Sequence, residues 1–142
     1  MIAVHGDEIA AFVEKKLKIK LHPPFFAVGF LTDNKKPLCA VVFNGYNGGN
    51  IDLTIVAESG RVTRGVLKSI SEYVFDQLRC RRATVRIKRH NKHALRMAYR
   101  AGFKFETVHR GYFHDDDAVV FRMLRKECRW LKDRDDGRAA AA

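Results

Sequence analysis

Two different periodicities stand back to back between Ile51 and Leu78, and they limit what this chain can fold into. From Ile51 to Ala57, Ile51, Leu53, Ile55 and Ala57 alternate with Asp52 and Thr54, which is the period-two pattern of a half-buried strand. From Val62 to Leu78 the pattern changes. Val62, Val66, Ile70, Val74 and Leu78 form one apolar stripe flanked by Leu67, Tyr73 and Phe75, which predicts an amphipathic helix. A strand that passes through a short turn into a helix of this kind must bury both apolar faces against each other, so the chain is expected to build a sheet covered by helices.

The remaining segments extend that plan. Ile9, Phe12, Val13 and Leu17 recur at helical spacing in Asp7–Leu17, with acids at the start. The apolar runs 25–31 and 38–43 flank Thr-Asp-Asn-Lys-Lys-Pro and read as a hairpin, and 44–50 (NGYNGGN) is turn chemistry throughout. A strand is expected at 83–87. A helix capped by Asn91 should run to Ala101, with Gly102 just past its end. Strands 103–108 and 118–124 should pair, and 127–132 can form a last helical turn. The expected order is (β)αβββαβαββ, a mixed, mostly antiparallel α/β sheet flanked by helices. One domain is expected over 1–132, followed by a disordered tail over 133–142.

Composition excludes several classes. With 46% hydrophobic and 30% charged residues the chain is neither a disordered polyelectrolyte nor a disulfide scaffold. Its apolar runs fall short of a membrane span, and the first ten residues lack the basic and apolar regions of a secretory signal, so a cytoplasmic location is expected. Cys39, Cys80 and Cys128 are odd in number and far apart, as suits free thiols, and no metal site is expected. The net charge is +11, and its location is informative. Fourteen of the 27 Lys and Arg lie between Arg61 and Arg110, against only Glu72, Asp76 and Glu106, so the whole excess sits in that stretch. Such a block suits a polyanionic partner, whether a phosphorylated cofactor, a nucleic acid or an acidic protein, or else a solvated cationic surface.

The turn between the expected strand and helix reads Glu58-Ser-Gly60-Arg-Val-Thr-Arg-Gly65. Glycines there allow close backbone approach, and the amides of a first helical turn point at an anion. Downstream, Asn91-Lys-His-Ala94 leads through a short helix to Gly102-Phe103, thirteen residues from Asn to Phe. With these two motifs, and with Asp117-Ala-Val-Val-Phe-Arg-Met-Leu as a closing strand, the chain resembles the GNAT superfamily of acyl-CoA-dependent N-acyltransferases. The ending 124–132 is similar to short bacteriophage-encoded members, for which host cytoplasm or a virion would be the location.

The resemblance implies acetyl-CoA as co-substrate and an amine of a small molecule or protein as acceptor. It implies that Val56 and Ala57 bind the pantetheine arm through their backbone. Gly60, Arg61, Val62, Thr63, Arg64 and Gly65 would cradle the pyrophosphate, and Asn91 would contact the cofactor near splayed strand ends. In many members a tyrosine acid sits seven residues after the asparagine; here Ala98 holds that position and Tyr99 lies about 100° further around the helix. The competing expectation is a catalytically silent scaffold of the same fold, acting as a structural or nucleic-acid-associated protein.

Other residues carry weaker signals. Asp52 and Glu58 are candidate bases beside the cofactor strand, and Tyr112 can face the acceptor or simply pack. His90 and His93, and His109 and His114 with Asp115–Asp117, have metal-ligand chemistry but read better as surface histidines and a solvated acidic turn.

Overall fold

The computed structural model describes residues 1–57 and 62–131. Seven strands, β1 (Ile2–His5), β2 (Phe25–Leu31), β3 (Pro37–Asn44), β4 (Asn50–Ala57), β5 (Arg82–Lys88), β6 (Lys104–His109) and β7 (Ala118–Leu124), form one sheet in the order β1-β2-β3-β4-β5-β7-β6. Every neighbouring pair is antiparallel except β4 and β5. The element order and the mostly antiparallel mixed sheet are those expected from the sequence.

Each face of the sheet is covered by different helices. On one face α1 (Asp7–Leu17) lays Ala10 and Val13 against Ala27, Ala40, Val42 and Val56. On the other, α2 (Arg64–Ser71) and α3 (Lys92–Arg100) pack Val66, Leu67, Ile70 and Ala98 against Val28, Val41, Leu53 and Val85. The alternation in β4 decides which side chain goes where. Leu53 joins the α2/α3 core and Val56 the α1 core, while Asp52 shares the α1 face with Val56.

Three expectations are revised. Phe12, placed inward by its spacing, is 40% exposed, and Ala10 takes the buried position, its small side chain letting α1 lie close to Ala40 on β3. The helix expected over 62–78 begins after its cap, Thr63, and changes at Glu72–Gln77 into a π-helix. The stripe explains the change. Residues four apart drift about 40° per step around an α-helix, and a wider turn brings Val74 back to the sheet, where it is fully buried. The final helical turn is a 3-10 turn at Arg125–Glu127, earlier than expected, and the segment 132–142 lies outside the described residues.

All three cysteines are buried and free. Burial pushes the Cys39 thiol up to about 12 and raises that of Cys80. A thiol reagent at pH 8 should therefore label the folded protein negligibly and all three thiols after denaturation. Rapid labelling of the native chain would contradict this packing.

Candidate active site

The parallel pair β4–β5 is in register only from Asn50 opposite Arg82 to Leu53 opposite Val85. Beyond that point β4 continues to Ala57, still paired with β3, and β5 continues to Lys88, still paired with β7. The strands therefore diverge, and the facing edges of Thr54–Ala57 and Arg86–Lys88 have no strand between them. In a strand, alternate residues turn their N–H and C=O groups to each side, so the wedge is edged with backbone donors and acceptors that seek a partner.

A cavity of about 810 Å³ opens through this wedge. That is within the range of small-molecule sites, roughly 300–1,000 Å³. Because α1 and α3 lie on opposite faces of the sheet, the lining residues show that the cavity reaches both sides. On the α2/α3 side it is lined by Val62, Leu67, Asn91, Ala94, Met97 and Ala98. On the α1 side it is lined by the segment Lys16–His22, by Asp52, Arg86 and Lys88, and by Tyr112–Asp115 from the β6–β7 connection.

Two helix N-termini lie near the α2/α3 end; of the residues expected to bind a cofactor, Val62 and Asn91 line the cavity, whereas Val56, Ala57, Thr63, Arg64 and Gly65 do not. Thr63 caps α2, its Oγ1 accepting from the Val66 amide at 3.3 Å and its carbonyl from the Leu67 amide at 3.0 Å. The amides of Arg64 and Gly65 precede the helical ladder, where donors point outward toward a ligand or solvent. Asn91 caps α3 with its Oδ1 on the Ala94 amide at 3.2 Å, and its Nδ2 has no protein partner among the described residues. A Cβ at Gly65 would meet only Met1, with Sδ at 3.6 Å, an ordinary contact, so neighbouring side chains do not demand glycine there. Gly60 and Arg61, together with Glu58, lie outside the described residues. Val56 and Ala57 stand on the open reach of β4, with the Val56 side chain turned into the α1 core and its backbone at the wedge.

The α1 end is a network of paired charges. Arg86 Nη1 lies 3.1 Å from Asp52 Oδ2, and its guanidinium sits 5.3 Å over the Tyr112 ring. Asn50 joins them, donating from Nδ2 to Asp52 at 3.0 Å and accepting from the Thr84 hydroxyl at 2.5 Å. Lys88, nearly buried, donates to the Lys18 carbonyl at 3.1 Å and pairs with Asp115 at 2.9 Å, tying the segment after α1 and the β6–β7 connection to the end of β5.

The acidic run is not merely solvated, and no cluster of metal-binding side chains occurs among the described residues. Asp115, Asp117 and Asp116 engage Lys88, Arg89 and His90 respectively, three consecutive residues at the end of β5. The His90 amide also donates to Asp116 at 2.9 Å, and the Gly111 amide to Asp117 at 2.8 Å. The hydrogen bond from Lys88 holds the Asp115 carboxyl below its ordinary value of 3.8, and that from the His90 amide does the same for Asp116. A carboxylate with a depressed folded-state pKa contributes fully above its unfolded value and loses that contribution as pH falls through the folded one. The His90 amide resonance should therefore move on acidification with a midpoint below 3.8. A midpoint at or above that value would mean the clamp does not form.

Ala98 lines the cavity, while Tyr99 is 76% exposed on the outer side of α3. The tyrosine cannot serve the cavity from there. The features that sequence reading missed are the Asp52–Arg86–Tyr112 cluster and the clamp. Asp52 and Tyr112 stand out singly in the sequence; what joins them is Arg86, which with Lys88 places two cations at alternate positions of β5.

No family model matches the sequence, and no curated protein matches it. Solved structures do match the fold. A variant of the spermidine N-acetyltransferase SpeG from Vibrio cholerae superimposes with a TM-score of 0.74 at 10% identity, covering 93% of this chain and 98% of that one. The same enzyme in complex with manganese ions gives 0.69 at 11% identity, covering 88% and 92%. An acetyltransferase candidate from T. thermophilus gives 0.64 at 17% identity, covering 85% and 69%. The seven-stranded sheet with its three helices is thus the fold of GNAT-type acetyltransferases.

Proposed function

We propose that this chain is an N-acetyltransferase that takes acetyl-CoA as co-substrate and transfers its acetyl group to an amine of a small molecule or protein. The observation that carries this reading is the divergence of β4 from β5 after Leu53 and Val85, with a cavity passing through the gap. A pantetheine arm has amide groups spaced along a thin chain, and an open strand edge is complementary to it in the way one strand is to another. Thr54–Ala57 would bind that arm. The amides of Arg64 and Gly65 and the side chain of Arg64, with Gly60, Arg61, Val62 and Thr63, would hold the pyrophosphate at the start of α2. Asn91 Nδ2 would donate to the cofactor from the start of α3.

An amine would attack the thioester carbonyl of acetyl-CoA, the C–N bond forming as the C–S bond breaks, with CoA leaving as its thiol and taking up the one proton that the amine gives up. The chain's own part is to align that carbonyl in the wedge, with a backbone amide near Val56 donating to the oxygen that gains charge. The acceptor would lie at the α1 end, where Asp52, Tyr112, His114 and Asp115 are the groups able to exchange protons with it or to orient it.

Calorimetric titration with acetyl-CoA at near-physiological salt, with ADP as charge control, tests this. Saturable binding well above that of ADP is expected. Binding equal to ADP and lost with added salt would overturn it.

A second reading, a silent scaffold of the same fold associated with nucleic acid, is favoured by Ala98 standing at the cavity while Tyr99 faces out. Its electrostatic support is smaller than the sequence suggests, because Arg82, Arg86, Lys88 and Arg89 are all engaged by carboxylates. No described helix is long and apolar enough to cross a membrane.

A further inference from the structure

We propose that the amine acceptor is itself an anion, a small primary amine carrying a carboxylate or phosphate, and not a polyamine. The inference rests on the transferase reading for the existence of an acceptor, but its argument comes from the charges at the α1 end of the cavity. Arg86 and Lys88 project there from alternate positions of β5, and Lys16, Lys18 and Lys20 line the same end. Two carboxylates line it as well, Asp52 and Asp115, and each is already held, by Arg86 and Lys88 respectively. Lys16, Lys18 and Lys20 have no ion-pair partner among the described residues, so the acceptor end carries an uncompensated positive field.

The detail at Arg86 sharpens this. Its Nη1 is on Asp52 and its planar face is on Tyr112, but its Nε is buried without a hydrogen-bond partner. That nitrogen is closed off from the cavity, but the rest of the Arg86 side chain stays partly exposed there, and an oxyanion brought to that exposed part gains a charge-assisted bond. A polyamine offers only donors. It would place further cations among five basic side chains and find, among the described residues lining that end, no carboxylate that was not already taken.

The same field aids the chemistry. Nearby cations disfavour the ammonium form of a bound amine and so raise the fraction of the neutral nucleophile. An acceptor whose oxyanion faces Arg86 would thus be bound and activated by one set of charges, which lessens the need for a strong base in a site that lacks the helical tyrosine.

The test is binding and turnover with glutamate, O-phosphoethanolamine, ethanolamine and spermidine, using the full chain with and without CoA. Glutamate or O-phosphoethanolamine should bind about tenfold or more tightly than ethanolamine, with spermidine weakest; which anion leads separates carboxylate from phosphate. Arg86→Gln should remove about tenfold or more of that preference. Because Arg86 also pairs with Asp52, the exposed double variant Lys18→Ala/Lys20→Ala provides a second measure and should weaken anionic amines while sparing ethanolamine. Spermidine binding as tightly as the anions, or no binding of either anionic amine, would overturn the inference. Failure of acetyl-CoA to bind would instead overturn the transferase reading, and the acceptor affinities, read by calorimetry, would still decide this one.

Discussion

Ala94→Trp should abolish measurable acetyl-CoA binding while leaving the chain folded. Ala94 lies in the first turn of α3, is only partly buried, and faces the cavity beside Asn91. An indole there has open space to enter, so it fills the passage without overpacking the core as a bulky residue at the buried Ala98 would. If the pantetheine arm runs between β4 and β5, the indole occupies its path. Affinity should then fall by about a hundredfold or more, a change of nearly 3 kcal/mol. The melting temperature and circular dichroism should change little. Unaltered affinity for acetyl-CoA would move the cofactor out of the wedge.

Phe75→Ala should be the most destabilising single truncation in the α2 region. Phe75 is 1% exposed and is the largest of the fully buried side chains. It belongs to the core cluster in which the π-helix joins the sheet. Its loss combines a transfer penalty with a cavity that rigid neighbours cannot close, about 3–5 kcal/mol. Against a total stability of roughly 5–15 kcal/mol, this is a large fraction. A urea midpoint that falls accordingly, with an unchanged slope, would support the packing described; a loss below about 1 kcal/mol would contradict it.

The fold was legible because its signals are local. The alternation in 51–57, the stripe in 62–78 and the Asn91 cap each name an element from a few neighbouring side chains, and each element is found there, the stripe as an α-helix from Arg64 that turns into a π-helix at Glu72. The conversion of the α2 helix to a π-helix was foreshadowed by the strict four-residue spacing of the stripe, but spacing alone does not say where the wider turn falls. Ala10 displaced Phe12 from the core because close packing of α1 on β3 is a tertiary matter that helix periodicity cannot weigh.

Helix α3 beside the cavity is legible in the sequence and the charge network at the α1 end is not, for the same reason. Asn91 announces the start of α3, which lines the cavity, whereas α2 starts after Thr63 and not at Val62 as its apolar stripe suggests. Asp52, Arg86 and Tyr112 are far apart in the chain and meet only because β4, β5 and the β6–β7 connection converge. The run Asp115–Asp117 reads as solvent-facing until β7 places it against Lys88, Arg89 and His90. The concentrated positive charge was likewise visible as a number and not as a structure. Much of it is engaged in pairs on β5, and what remains uncompensated at the cavity lies on 16–20, outside the basic block that the sequence highlights.

If the chain is an acetyltransferase, acyl-CoA binds in the gap between β4 and β5. Backbone amide shifts of isotope-labelled protein during an acetyl-CoA titration test it most directly. The largest changes are expected at Thr54–Ala57, at Arg64 and Gly65, and at Asn91 and Ala94, with ADP reproducing only those at the start of α2. Changes confined to the exposed basic residues outside the cavity and matched by ADP throughout would contradict it.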